Sequence, residues 1–441
     1  VTSWSSRHNG RGAALVLSDG QARGRLRGHP LYLIGIMPAK GAVEDMTSLL
    51  TDISIQQRPR TAIVGAGVNG LAIAWQLARH GCAVDVYERG RIGRGASWAA
   101  AGMLAPGAEA EPGEDAVTAA GQQALGLWPD FARDLKEASG IDPELRTDGL
   151  MIAATNRDEA EQLRHDHAFL QQQGVPAEWL SGAEARRREP YLRAGLPGAL
   201  FSPNDGQANN RQLVRALAAA ARAAGARIHE ETPVDALDTA EGRTAGLIVQ
   251  GTRVPAEAVV LCAGAWGREI DGVPAAAQAP IRPIKGQMLS LQMDPARPLL
   301  HHVLWAPKVY LVPRRDGQLL IGATVEEKGF EDAMTAGGVF ALLEAAWRAI
   351  PAIEELPIAE MWAGHRPGSR DDAPVLGATP VDGLYLANGH HRNGILMTPL
   401  SGQAVAAEIL TGRRHDSLAP FRVERFHSAG RATSEPERGA A

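Results

Sequence analysis

The stretch TAIVGAGVNGLAIAWQLARHGCAVDVYER, residues 61–89, decides the fold of this chain. Residues 61–64 predict a short buried strand, residues 71–79 carry apolar side chains at helical spacing, and residues 83–87 predict a second strand. The first turn has the G-x-G-x-x-G pattern of Gly65, Gly67 and Gly70. Strand, glycine turn, helix and strand in this register predict a βαβ unit that binds a dinucleotide; a glycine-rich turn of purely structural use is the alternative.

Each residue of this motif has its own physical role. Gly65 permits the tight turn, Gly67 lets the backbone approach a pyrophosphate, and Gly70 lets the helix lie close to the sheet. The phosphates then face N–H groups at the positive end of the helix dipole. Glu88 follows the second strand, where its carboxylate can accept hydrogen bonds from both ribose hydroxyls and would repel a 2′-phosphate.

Composition excludes several other classes of protein. The chain has 441 residues and a formal net charge of -5, which gives no reason to expect nucleic acid or an anionic membrane as a partner. No apolar run approaches the ~20 residues that cross a bilayer. Cys82 and Cys262 lie in separate apolar segments, which indicates no disulfide framework and no zinc or other metal site, and favours the cytoplasm. The length suggests two domains.

A run of small residues, RGASWAAAGMLAP at 94–106, follows the acidic ribose residue. It is too poor in branched apolar side chains for a core helix, although a small-residue helix packed on a sheet is the alternative. Farther along, Asn209 or Asn210 can cap a helix that ends at Gly225, and residues 227–234 predict a strand that returns to the same sheet.

Two later segments each predict a strand that runs into a glycine-containing turn. They are EAVVLCAGAWG at 257–267 and GLYLANGHHRNGILMTPLSGQAVAAEIL at 383–410, and a helix begins near Pro399 in the second. The alternating segments QMLSLQM, KVYLVPR and QLLIGATV predict an antiparallel sheet elsewhere in the chain.

These segments resemble those of the FAD-dependent amine and amino-acid oxidases, the family of D-amino-acid oxidase, sarcosine oxidase and glycine oxidase. The resemblance spans residues 61 to about 425. It implies an α/β fold in which an FAD-binding Rossmann-like domain is interleaved with an antiparallel-sheet substrate domain. We expect the FAD domain to comprise residues 58–143, 200–280 and 361–425, and the substrate domain residues 144–199 and 281–360.

Within the family, AAAGML, YLVPR, IGATVEEKGF, HRPGSRDDAPVLG and GHHRNGI resemble motifs of the glycine oxidases. The resemblance implies that Met103 lies against the flavin, that Tyr310 and Arg366 hold the substrate carboxylate, and that Arg392 stands at the substrate face of the flavin. Some glycine oxidases have methionine where this chain has Val325, which leaves the preference for glycine over larger amines open.

The resemblance also implies which residues contact FAD, and we expect the cofactor to be noncovalent because neither cysteine lies where a flavin thioether would form. The expected contacts are Gly65, Gly67, Gly70, Glu88, Arg89, Ala96, Ser97, Ala101, Gly102, Met103, Val234, Ala263, Gly264, Trp266, His391, Arg392, Asn393, Gly394 and Ile395.

Other interpretations of the site residues remain open from sequence. Arg366 could be a surface arginine paired with Asp371 or Asp372, and Tyr310 an ordinary strand aromatic. The remaining alternatives concern basic side chains: His390 and His391 are more often structural than catalytic, and Lys285 is either a positive charge that favours oxygen reduction or a solvated residue at a strand border.

The implied function is oxidation of glycine, or another small amino acid or amine, to the imine, with O₂ reduced to H₂O₂, as in the thiazole branch of thiamine biosynthesis. A D-amino-acid or secondary-amine dehydrogenase with a quinone or carrier acceptor is the alternative, and a noncatalytic flavoprotein or RNA-modifying module is a third hypothesis. The family resemblance favours a homo-oligomer, with neither nucleic acid nor a membrane as partner.

The two ends of the chain lack the patterns of a folded domain. Residues 1–45 show neither helical nor strand period, so we expect an N-terminal extension over 1–57 that is disordered or absent from a native protein beginning near Met46. Back-translation of residues 25–46 with GC-rich codons gives strings similar to the core of the thiamine-pyrophosphate riboswitch, which suggests control of the gene by that compound. Residues 426–441 predict a disordered tail.

Overall fold

The computed structural model describes residues 54–427. The predictions for residues 1–45 and for residues 428–441 therefore lie outside the described residues. Helices in chain order are α1 (Val68–Arg79), α2 (Ala96–Ala99), α3 (Asp115–Ser139), α4 (Arg157–Gln172), α5 (Gly182–Arg188), α6 (Asn210–Ala223), α7 (Ala336–Ala349) and α8 (Thr398–Thr411). Short 3₁₀ turns occupy Gly264–Trp266, Ala275–Ala277, Pro351–Glu355, Asp416–Phe421 and Val423–Phe426.

The strands of the described residues fall into four sheets. In chain order they are β1 (Thr61–Val64), β2 (Val84–Tyr87), β3 (Met103–Leu104), β4 (Leu150–Ala154), β5 (Glu178–Ser181), β6 (Gly198–Ser202), β7 (Gly206–Gln207), β8 (Arg227–His229), β9 (Val234–Ala240), β10 (Arg243–Val249), β11 (Thr252–Pro255), β12 (Ala258–Leu261), β13 (Arg282–Gln292), β14 (Val303–Ala306), β15 (Val309–Pro313), β16 (Gln318–Gly322), β17 (Ile358–Gly368), β18 (Val375–Ala378) and β19 (Leu384–Asn388).

The first sheet confirms the predicted α/β fold. Its order is β18-β19-β12-β1-β2-β8, and every neighbouring pair is parallel except β18 with β19. The predicted helix after the glycine turn is α1, which is buried on almost all of its faces because α6 and α8 pack against it. A Cβ on Gly402 of α8 would lie 2.9 Å from the Cβ of Ala72, so a small residue is needed where these helices meet.

The second large sheet has eight strands in the order β17-β13-β16-β15-β14-β4-β6-β5. All neighbouring pairs are antiparallel except β14 with β4. The alternating segments of the sequence are its strands β13, β15 and β16, as predicted. Its apolar core is formed with α7, whose inward residues include Leu342, Ala346 and Ala349.

Several predicted boundaries differ from the structure. The predicted strand over 227–234 is two strands in different sheets, because the chain breaks at Glu231, which has a φ of 52°, and at Pro233. The predicted domain limit at 361 falls inside β17, whose whole length pairs with β13 of the substrate sheet. The backbone N–H groups of Gln56 and Gln57 donate to the Leu410 carbonyl at 3.0 and 3.2 Å, so packed chain begins before residue 58.

Candidate active site

A cavity of about 760 Å³ lies where the carboxyl ends of β1, β2, β12 and β19 meet strands β13 to β17 of the second sheet. Its volume is in the range of small-molecule and cofactor sites. All but one of the residues that the family resemblance points to line this cavity. The exception is Asn393, whose backbone N–H donates to the carbonyl of His390 at 2.8 Å, and which lines a separate small void instead.

The glycine turn has the geometry of a phosphate-binding loop. Gly65 has a φ of +104°, and a Cβ added there would lie 2.5 Å from the carbonyl oxygen of Cys262. A Cβ on Gly70 would lie 2.1 Å from the Gly65 carbonyl oxygen, so this glycine brings α1 against the sheet. A Cβ on Gly67 would meet only Ser97 Oγ, at 3.1 Å, because Gly67 faces the cavity. The packing of Gly65 and Gly70 thus exposes the backbone of Gly67 to a ligand.

Glu88 lies in the same cavity wall and fixes this turn. Its Oε2 accepts a hydrogen bond from the backbone N–H of Ala66 at 2.8 Å, and its Oε1 accepts one from Gly90 at 3.0 Å. Ser97 Oγ accepts a hydrogen bond from the N–H of Val68 at 3.1 Å. Two of the residues predicted from the motif therefore hold the start of α1 in place beside the cavity.

The small-residue segment lines the cavity because a buried arginine anchors it. Gly102 has a φ of +73°, and a Cβ there would lie 2.1 Å from the Ala208 carbonyl oxygen. Arg314 donates to the carbonyl of Ala101 at 2.6 Å and to Asn210 Oδ1 at 3.0 Å. Burial lowers the pKa of Arg314 to about 10, so its guanidinium remains charged at neutral pH. Sequence reasoning missed this anchor, because its one available signal was an arginine at the end of a predicted strand.

Arg366 and Tyr310 lie on the wall that the second sheet contributes. The Arg366 guanidinium lies over Gly286 of the neighbouring strand, where an added Cβ would approach Nη1 to 2.5 Å. Its Nη1 donates to the Thr324 carbonyl at 3.2 Å. The Tyr310 ring occupies the equivalent space over Gly322, 2.7 Å from where a Cβ would stand. Two glycines on adjacent strands therefore make room for the two side chains.

Arg366 does not have the structural role that sequence left open for it, whereas Tyr310 packs against an apolar cluster and also lines the cavity. Asp371 is paired with Arg425 at 2.8 Å, and Asp372 lies 3.4 Å from Arg282, so Arg366 is the partner of neither. Burial raises the pKa of the Tyr310 phenol, although the charge of Arg366 opposes the shift. Tyr310 is therefore a neutral O–H donor at physiological pH, beside a permanent cation.

Arg392 lies at a different wall of the cavity, which is rich in acidic residues. Its guanidinium contacts three carboxylates: Nε lies 3.1 Å from Glu109, Nη1 lies 3.1 Å from Glu111, and Nη2 lies 2.7 Å from Glu114. Glu109 and Glu111 also line the cavity. Sequence reasoning missed these acids, although the run EAEPGED at 109–115, shortly after the small-residue segment, was an available signal.

Lys285 is not a solvated strand-border residue, and that interpretation was wrong. Its side chain is fully buried, its Nζ donates to the Ala333 carbonyl at 2.7 Å, and it is absent from the cavity wall. Gln287 on the same strand donates to Glu326 at 2.7 Å and accepts from the Thr335 N–H at 2.8 Å. These contacts hold the segment 323–335 in place. The segment carries Val325, an exposed residue of the cavity wall, and the Thr324 carbonyl that Arg366 contacts.

The two histidines of the GHHRNGI motif differ in their contacts. His390 is buried with its Nε2 2.9 Å from Ser401 Oγ, and burial lowers its pKa to about 4. His391 has a φ of 48°, its N–H donates to the Pro367 carbonyl at 3.0 Å, and burial lowers its pKa to about 4. Both rings are therefore neutral at physiological pH, which favours structural roles over proton transfer.

The described part of the chain bears on two other expectations. Cys262 lines the cavity, but burial raises the pKa of its thiol well above the ordinary value, which makes the thiol a poor nucleophile toward a flavin. Within residues 54–427 no helix is both long and apolar enough to cross a membrane.

Comparison with known proteins gives concordant matches. The family model described as FAD dependent oxidoreductase matches residues 60–408. A glycine oxidase of Geobacillus kaustophilus is 39% identical over 368 residues, which are 82% of this chain and 96% of that protein. The crystal structure of glycine oxidase from Geobacillus kaustophilus superposes with a TM-score of 0.77 at 38% identity, covering 84% of this chain and 99% of that one.

A second type of relative is longer than this chain. The bifunctional protein ThiO/ThiG of Trichormus variabilis is 34% identical over 374 residues, which are 84% of this chain and 56% of that protein. The chain thus spans about half the length of this bifunctional relative.

Proposed function

The chain belongs to the family of FAD-dependent oxidoreductases, and from that premise we propose that it is a glycine oxidase. It oxidises glycine, and other small amino acids or amines, to the imine and passes the electrons to O₂, which becomes H₂O₂. The observation that carries the proposal is the pairing of Arg366 and Tyr310 on one wall of a cavity whose other wall is the dinucleotide-binding turn.

The described residues fit FAD. The space in front of Gly67, which a side chain would enter, lies at the amino end of α1, where an anionic pyrophosphate is favoured. Gly65, Glu88 and Ser97 hold this turn, and the wall continues through Ala263 and Trp266. When bound, FAD supplies the acceptor for a hydride from the substrate Cα.

The chain's own residues then bind and orient the substrate, and they limit the access of water. Arg366 presents a planar guanidinium that can receive a carboxylate through two parallel hydrogen bonds, and the neutral Tyr310 O–H can donate a third. Fixing the carboxylate in this way orients Cα, and positioning of this kind supplies much of the rate in reactions without a covalent step. Met103, Met288 and Trp305 line the cavity with apolar groups, which limits the access of water.

The biological setting is part of the proposal. The names of the ThiO/ThiG relatives support a role in the thiazole branch of thiamine biosynthesis, where the imine is consumed. The two cysteines are free and buried, in keeping with a cytoplasmic protein. Family resemblance supports a homo-oligomer, and the residues named above would then form one complete site in each subunit.

The proposal is tested by offering the purified flavoprotein glycine, sarcosine and D-alanine in air, and measuring peroxide formation against dye reduction under argon. We expect glycine to be turned over with one H₂O₂ formed per O₂ consumed. Reduction of the dye without peroxide formation would instead identify a dehydrogenase.

A further inference from the structure

Glu109 is a buried carboxylate of the cavity wall that the steps above do not use. Its side chain is only 10% exposed. Its Oε2 lies 3.1 Å from Arg392 Nε, yet it receives no hydrogen bond, because the contact lacks hydrogen-bond geometry. A buried carboxylate oxygen without a hydrogen-bond donor is costly. The protein therefore leaves this carboxylate incompletely satisfied, although Glu109 lines the cavity that a ligand would enter.

The backbone around Glu109 is held on both sides. Its N–H donates to the Ala105 carbonyl at 2.9 Å, and its carbonyl accepts from Arg392 Nη2 at 3.2 Å. The carboxylate of Asp205 accepts from the N–H groups of Gly107 and Ala108 at 3.1 and 2.8 Å. The carboxylate of Glu109 is therefore presented from a fixed segment rather than from a loose loop.

The charges around the cavity suit a dipolar ligand. One guanidinium, that of Arg392, is shared by Glu109, Glu111 and Glu114, so negative charge is in excess at this wall. At the wall formed by the second sheet, the Arg366 guanidinium and the neutral Tyr310 O–H can both donate hydrogen bonds to an anion. An α-amino acid zwitterion carries the two opposite charges that these walls lack.

We propose that Glu109 receives the ammonium group of the amino-acid substrate and takes one proton from it. This inference rests on the proposed function. The N–H bond breaks and an O–H bond forms on the Glu109 carboxylate, so an ammonium and a carboxylate become a neutral amine and a neutral acid. The nitrogen keeps its lone pair, which the loss of hydride from Cα requires.

The proton affinity of Glu109 suits this task. Burial raises its pKa to about 7, against the opposing charge of Arg392. A base of this strength is ionised in the free protein above neutrality and can still hold a proton in the complex. The charged or titratable groups that act on it or feel its charge are Arg392, Asp205, Arg366, Glu111 and Tyr310.

The test compares Glu109→Gln with Glu114→Gln, which removes a carboxylate from Arg392 outside the cavity wall. For each holoprotein, kcat/KM for glycine is measured across the pH range, and the binding of glycolate is measured by perturbation of the flavin spectrum. Glycolate carries the carboxylate but no ammonium. Flavin content and Tm report whether either variant disturbs the fold.

In the wild type and in Glu114→Gln, kcat/KM for glycine should fall as pH drops below about 7. In Glu109→Gln this fall at low pH, the acidic limb of the pH profile, should vanish, and kcat/KM at high pH should be about 10- to 100-fold lower than in the wild type. Glycolate should bind as tightly as before or more tightly. If Glu109→Gln does not fold, Glu109→Asp is measured instead. Because this variant keeps the charge, its kcat/KM should be lower than that of the wild type but should still fall at low pH.

The proposal is overturned if Glu109→Gln keeps both the limb and a glycine kcat/KM within about twofold of wild type, or if Glu109→Asp loses the limb. Parallel losses of glycolate and glycine binding would also overturn it, because they indicate a purely structural role. The proposed function fails separately, if the wild-type protein does not oxidise glycine at all.

Discussion

At the scale of single residues, the site depends on where space has been left for large side chains. Gly286 and Gly322 leave room for Arg366 and Tyr310, and the two side chains fill that room from the neighbouring strands. Arg366 was predicted from a motif resemblance. Glu109 was not, because its significance depends on Arg392 and Asp205, which are far from it in sequence and reach it only in the fold.

Replacement of Arg366 by alanine should lower kcat/KM for glycine by roughly 10- to 150-fold while flavin remains bound. The reason is the loss of a charge-assisted contact to the carboxylate, worth about 1.5–3 kcal/mol. Steady-state kinetics and the flavin spectrum measure the two effects. Arg253→Ala is the matched control, because that arginine pairs with Asp238 in the small β9–β11 sheet. Unchanged kinetics in Arg366→Ala would mean that the carboxylate binds elsewhere.

The raised pKa of Glu109 also makes a prediction about stability. The pKa is about 7 in the folded protein and about 4.5 for an unperturbed glutamate, so the folded state binds more protons between these values. The stability contributed by protonated Glu109 is present below about pH 4.5 and is lost as pH rises through 7, by at most about 1.4 kcal/mol per pH unit.

Glu109→Gln removes this titration. The Tm of the variant minus that of wild type should therefore rise as pH increases from about 4.5 to about 7, and then level off. Thermal unfolding of both proteins in a series of buffers measures the difference. A difference that is constant with pH, or that falls as pH rises, would contradict the assigned pKa.

At the scale of elements, sequence rules correctly predicted the helices and strands whose form depends on residues close to one another in the chain. The glycine turn, helix α1 and strands β1 and β2 follow from a pattern within one short segment. The strand predicted over 227–234 was wrong because residues 229–233, HEETP, carry no apolar alternation, and the backbone turns at Glu231 and Pro233 into another sheet. The prediction for Lys285 was wrong because its buried partner is the Ala333 carbonyl. The position of the segment around Ala333 relative to Lys285 cannot be predicted from the sequence.

Replacement of Gly67 by valine should abolish flavin retention while leaving the protein folded. Its side chain would enter the cavity beside Ser97 Oγ, in the space that the pyrophosphate needs, whereas Gly65 and Gly70 keep their packing. The ratio of flavin to protein absorbance after gel filtration measures retention. Gly337→Val is the control, because a Cβ at Gly337 meets nothing within 4 Å. A yellow, active Gly67→Val protein would contradict the assignment of the turn.

At the scale of the whole molecule, the interleaving of the two large sheets creates the site. Strands β1, β2, β12 and β19 supply the dinucleotide side and β13 to β17 supply the substrate side, so no single segment contains the site. Sequence predicted both sheets, because each has its own apolar pattern. It placed a domain limit inside β17, because nothing in residues 358–368 reveals that the strand pairs with β13 along its length.

The central claim is that one cavity brings a small amino acid to a flavin that O₂ can reoxidise. The most direct test is to add glycine to the purified protein without oxygen and to follow the visible absorption of the flavin. We predict that glycine bleaches the flavin, that admitting O₂ restores the colour with one H₂O₂ formed per flavin, and that bleaching is much slower in Arg366→Ala. A flavin that stays oxidised with glycine and with every other small amine would contradict the account.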